Sequence, residues 1–165
     1  LAEQDAPYRW IVLTGIAIVS FASILMGTLI HRRWRARVAA VTTMIAGVSA
    51  VTLGIFVCSP GCPGFGTSLT DTMHSIGAVV HYVSFGLSPL IAAATTRHVT
   101  PPGYRWFSLV AGLVGGSFLY SQFTGWGENG ITQRVGLTTL DIWMIVTAIV
   151  LMRTGSFHPQ ARRRS

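Results

Sequence analysis

Polar residues between Asp71 and Pro89 recur in steps of three and four, so Asp71, His74, Gly77, His81, Ser84 and Ser88 fall along one line of a helix whose other faces are apolar. Two imidazoles and a carboxylate turned toward hydrocarbon would lack partners, which is costly enough that the stripe is expected to face protein. Around it the chain contains five apolar runs, near 9–30, 38–57, 74–96, 105–123 and 133–152. Each has the length needed to cross roughly 30 Å of hydrocarbon, about 20 helical residues. Helices are expected because an open strand in lipid would leave its backbone polar groups unsatisfied. The pattern therefore predicts an all-α integral membrane bundle, one domain over 1–165, with five visible transmembrane helices.

Local chemistry adds detail to those helices. Thr100-Pro-Pro-Gly103 is a turn, because tandem prolines cannot continue a helix from the preceding residue. Pro89 should bend the third helix, with the Ser88 hydroxyl taking up part of the lost backbone bonding. Gly112 and Gly116 have the small-xxx-small spacing that lets a neighbouring backbone approach closely, and are expected to mark tight packing inside the bundle. Trp10, Trp34, Trp106 and Trp126 fall near helix ends, where an aromatic belt would place them.

Composition agrees with a bilayer protein: half of the 165 residues are hydrophobic and only 10% are charged. A net charge of +7 could signal a nucleic-acid binder, but the arginines cluster by position. Arg32, Arg33, Arg35 and Arg37 lie between the first two runs, Arg97 and Arg105 at the turn from the third to the fourth, and Arg153 with Arg162, Arg163 and Arg164 after the last. The positive-inside rule puts basic residues at such places, so the charge reports topology and anionic headgroups, and no nucleic acid is expected as a partner. Glu3 and Asp5 precede the first run, which places the N-terminus outside and the C-terminus on the cytoplasmic side. The acidic flank also distinguishes the first run from a signal peptide.

Two groups of residues are candidates for chemistry. Cys58 and Cys62 sit four apart in a Pro/Gly turn on the outer side, where disulfides persist, and a loop staple is the first reading. A soft-metal set for copper, adding Met73 or His74, is the sharper alternative. Since the spacing from Cys62 to His74 matches no compact metal motif, no metal site is assigned from the sequence.

The second group is polar: Asp71 and His74 at the outer mouth of the third helix, Glu128 in the last outer loop, and Arg134 opening the fifth helix. His81 and Asp141 each lie seven residues deeper, about 10 Å below the mouth at 1.5 Å per residue. A His81–Asp141 contact is expected, direct or bridged by Arg134 or water, in an outward-facing cavity that Thr138, Tyr120 and Gln122 could line. In an enzyme His81 would be the base, Asp141 its orienter and Arg134 an anion clamp, with Asp71, His74 and Glu128 completing the ligand-binding set.

Three functions compete for that cavity. Hydrolysis or remodelling of a lipid headgroup is one, directly or through a zinc held by His74 and Asp71. Ligation of a haem or pigment by His74 or His81, in an accessory subunit of a larger membrane redox or photosynthetic complex, is another. A satisfied polar network that only fixes helix register is the third. Binding or remodelling of a membrane lipid or other amphiphile is the favoured reading, with the cofactor unknown.

The motif Phe56-x-Cys58-x-Pro60-Gly-Cys62-Pro63, then Asp71-x-x-His74 opening a helix, then Gly130-x-x-Gln133-Arg134 before the last helix, resembles the domain of unknown function 998 family of prokaryotic multi-pass membrane proteins. The resemblance covers nearly the whole chain and implies a further helix upstream of Leu1, giving six in the intact protein. It supplies no reaction.

Overall fold

A computed structural model describes residues 7–124 and 129–154, and these form five α-helices and no strand. They are α1 (Arg9–Trp34), α2 (Arg37–Ile55), α3 (Leu69–Thr95), α4 (Pro102–Thr124) and α5 (Asn129–Thr154). Consecutive helices pack side by side, and α5 also touches α1 and α3. Four helices, α1, α2, α3 and α5, are long and apolar enough to cross a membrane, the character of a multi-pass membrane protein. α4 is not among them, since Gly112, Gly115 and Gly116 with Ser108, Ser117 and Ser121 dilute its apolar side chains.

Helix ends differ from the expected bounds where polar side chains take part. α3 starts at Leu69 because Ser68 caps it: the Ser68 hydroxyl oxygen accepts from the Asp71 backbone N–H at 3.0 Å. α1 runs through His31, Arg32 and Arg33 to Trp34, since arginine favours helix as well as any residue but alanine. Only Arg35 and Ala36 remain as the turn, with Arg35 at a φ of 55°. α4 begins on Pro102, at a first-turn position where the missing N–H has no helical partner to lose. Pro89 stays inside α3, and the Ser88 hydroxyl donates to the Ser84 carbonyl at 2.7 Å, as its position suggested.

The core is built by side-chain hydrogen bonds and close backbone approach. Trp143 of α5 is fully buried and donates its indole N–H to the Ser108 hydroxyl of α4 at 3.0 Å. One turn further on, the Thr147 hydroxyl donates to the Trp143 carbonyl, so the Tyr104 hydroxyl, 3.0 Å away, donates to Thr147. Trp34 closes the same end: it is buried, donates to the Thr154 hydroxyl at 3.0 Å and meets the Tyr104 ring edge-on at 5.5 Å between centroids. It is therefore an internal packing residue, in contrast to the belt position expected of it. Trp10 and Trp106 are exposed, as a belt requires, and Trp126 lies outside the described residues.

Glycine sets the spacing between neighbours. A Cβ on Gly27 would lie 2.7 Å from the Ala40 carbonyl oxygen, and one on Gly47 would lie 2.7 Å from that of Ser20, so α1 and α2 pack backbone to backbone. Gly86 of α3 faces Gly116 of α4 in the same way, its Cβ position 3.2 Å from the Gly116 Cα. The close packing expected at Gly112 and Gly116 is thus present, with α3 as the neighbour of both.

Candidate functional site

The polar stripe of α3 faces protein, and the protein it faces is α2. His81 is buried at 4% exposure, and its Nδ1 lies 2.8 Å from the carbonyl oxygen of Ala46. A carbonyl only accepts, so that nitrogen carries the proton. Its ring packs against Phe85 and Tyr82, at centroid distances of 5.3 and 5.7 Å. One turn toward the start of α3, a Cβ on Gly77 would lie 2.9 Å from the Thr52 hydroxyl oxygen, and Gly77 thereby admits α2 to hydrogen-bonding range of His81. A further turn toward the start of α3, His74 Nδ1 donates to the Phe56 carbonyl at 2.7 Å. Two imidazoles thus bind backbone carbonyls of α2 and its C-terminal cap.

Asp71 anchors the loop between α2 and α3. It is buried at 2% exposure and accepts from the Ser59 backbone N–H at 2.8 Å and from the hydroxyls of Ser59, Thr67 and Ser68 at 3.1, 3.2 and 2.5 Å. These donors use the lone pairs that a ligand would need. The carboxylate fixes the Phe56–Ser68 loop to the first turn of α3. Cys58 and Cys62 lie at disulfide distance within that loop, with Cα atoms 5.2 Å apart. One ligand atom from each of Cys58, Cys62 and His74 lies within 4.8 Å of the other two, a proximity that the linear spacing concealed.

The expected cavity between α3 and α5 is not assembled by these residues. No hydrogen bond or ion pair joins His81 to Asp141 among the described residues; His81 is turned to α2, and Asp141 is half-buried on α5. Arg134 is exposed, Thr138 is exposed, and Glu128 lies outside the described residues. The link between α3 and α5 is instead made by Gln133, whose amide donates to the Tyr82 hydroxyl. Gln122 likewise donates to Thr132 rather than lining a cavity. Equal depth on two helices said nothing about angular orientation, and the small-residue face of α2 was the signal that pointed elsewhere.

What the fold does form is a groove of about 740 Å³ between α3 and α4. Its floor is the Gly86–Gly116 crossing with Gly112, and its walls include Leu87, Leu90, Leu113 and Phe123. Tyr82, Tyr120, Ser121 and Thr124 bring hydroxyls to the end nearest the C-terminus of α4. The Tyr82 ring is held there by Gln133 and by the Phe123 ring, 6.2 Å away. Neither His81 nor Asp141 lines it.

A family model described as a protein of unknown function (DUF998) matches residues 1–150. The chain belongs to this family. The match runs from α1 to most of α5, so the clamped loop, the α2–α3 contact and the groove all lie within the DUF998 region. No curated protein and no solved structure matches the DUF998 chain.

Proposed function

We propose that this DUF998 protein is a five-span protein of the bacterial plasma membrane that binds an amphiphile, with the acyl portion in the α3–α4 groove and the headgroup at the hydroxyl-lined outer end. The groove carries the reading. Its 740 Å³ lies in the range of small-molecule sites, its walls are nearly all apolar, and it opens at the surface of the bundle beside the exposed Leu87 and Leu113. From Tyr82 to Leu90 the α3 wall rises about 12 Å, room for a substantial part of an acyl chain. Among the described residues the polar side chains lining that end carry hydroxyls, which supports binding of a headgroup there. His81 in this reading fixes the register of α3 on α2.

α4 completes the membrane crossing as a fifth span. Its 23 residues rise about 35 Å, and its buried Ser108 and Tyr104 bond to α5 rather than facing lipid. Alternation then gathers Arg32, Arg33, Arg97, Arg105 and Arg153 at the inner end, with the Cys58–Cys62 loop outside. A fluorescent-protein fusion to the C-terminus should fluoresce and a phosphatase fusion there should be inactive. The reverse pattern would overturn the orientation.

Leu87 and Leu113 are exposed groove residues, 43% and 61%, so tryptophan at both should fill the groove without disturbing the core. Native mass spectrometry from nanodiscs should then show lipid retention reduced by about fivefold or more, a loss on the order of 1 kcal/mol. Val48→Trp, on the exposed face of α2, should retain lipid as wild type does. Equal retention in all three would refute the site. A photo-crosslinker at Leu113 should capture lipid; capture of a stoichiometric protein instead would support an accessory subunit of a larger complex.

A further inference from the structure

We propose that the Cys58–Cys62 loop and His74 form a redox-gated site for monovalent copper: closed while the disulfide is intact, and a two-thiolate, one-imidazole ligand set once it is reduced. The juxtaposition comes from the fold, independently of the lipid groove. Cys58 ends the α2 side of the loop and is buried at 2% exposure, Cys62 is exposed in the turn, and His74 sits on the first turns of α3. One ligand atom from each lies within 4.8 Å of the other two, so modest side-chain rotation brings all three onto one ion.

Two further features prepare the set. His74 Nδ1–H is donated to the Phe56 carbonyl, which fixes the tautomer and leaves Nε2 with the ring's lone pair. Metal-bound histidines are commonly oriented by such a bond from the other ring nitrogen. Asp71 separately holds Ser59, the neighbour of Cys58, through both its backbone N–H and its hydroxyl. Opening the disulfide therefore leaves the loop tied to α3, and the sulfurs stay beside the imidazole.

The gating step balances with a dithiol reductant. A thiolate of the reductant attacks the exposed Cys62 sulfur, Cys58 leaves as a thiolate, and the second thiol of the reductant resolves the mixed disulfide. Two electrons and two protons pass to the cysteine pair while the reductant becomes a disulfide. Copper binding then releases the two thiol protons to solvent. Thiolate and imidazole are soft to borderline donors, and two sulfurs with one nitrogen suit a monovalent copper ion in three-coordination, whereas structural zinc takes four ligands.

The test uses the full chain in nanodiscs without oxygen and a chromophoric copper(I) chelator as competitor. After dithiothreitol treatment and its removal, the protein should withdraw one copper per chain from the chelator, and the oxidised protein should withdraw none. His74→Asn keeps an N–H donor for the Phe56 carbonyl but lacks the ring lone pair, and should weaken binding by about tenfold or more, at least the loss that follows removal of a metal ligand's hydrogen-bond partner. Cys62→Ser should abolish uptake. Equal uptake by oxidised and reduced wild type, no uptake by the reduced wild type, unchanged affinity in His74→Asn, or preference for zinc over copper would each overturn the assignment. None of these readouts depends on the groove, so lipid retention is expected to be the same in both redox states.

Discussion

Trp143→Ala should lower the stability of the bundle by about 3–5 kcal/mol, the usual cost of emptying a buried tryptophan site. The side chain is fully buried, and its indole N–H is the donor that ties α5 to Ser108 of α4. Hydrophobic transfer contributes little between helices already in lipid, so the loss comes from forfeited packing and from a broken interhelical bond. Trp143→Phe separates the two. It keeps most of the volume and should cost about 1 kcal/mol, near the value of one interhelical hydrogen bond. Reversible unfolding in mixed micelles, followed by a probe away from residue 143, reads both values. An alanine variant as stable as wild type would contradict the packing described for α4 and α5.

Gly47→Leu should separate α1 from α2 at a cost of about 1–3 kcal/mol, the range for overpacking a close contact. The first added carbon would already lie 2.7 Å from the Ser20 carbonyl oxygen, and backbone cannot move aside as a flexible side chain would. The effect should reach α3, because Ala46, the acceptor for His81, is the adjacent residue on α2. Gly15→Leu is the matched control: nothing lies within 4 Å of a Cβ there, and the added side chain would meet lipid. The same unfolding assay should place Gly15→Leu at or above wild-type stability.

Much of the fold was legible because bilayer physics restricts what a sequence can do. Runs of some twenty apolar residues have few alternatives to helix, and Pro89 with Ser88 announced its own repair. Asp71, His74 and His81 were legible as a set that must turn inward, and they do. Which helix received them was not. The carboxylate of Asp141 looked like the natural partner for His81, yet the imidazole is served by a backbone carbonyl, a group that every residue carries and no pattern marks. The donors around Asp71 were equally hidden: Ser59 and Thr67 belong to a loop whose path is set by positive φ angles at Gly61, Cys62, Gly64 and Gly66.

Sequence alone determined the all-helical bundle, the inward-facing stripe on α3, the cysteine pair in its turn and membership of the DUF998 family, because periodicity, hydropathy and local turn chemistry are properties of neighbouring residues. Tertiary structure decided the rest. It turned His81 to α2, engaged Asp71 as a clamp, brought His74 beside two sulfurs and opened a groove where Gly86 meets Gly116. Each of these depends on the angle at which one helix presents itself to another. That angle is set by how closely small residues let two backbones approach, summed over many contacts, and no single stretch of chain encodes it.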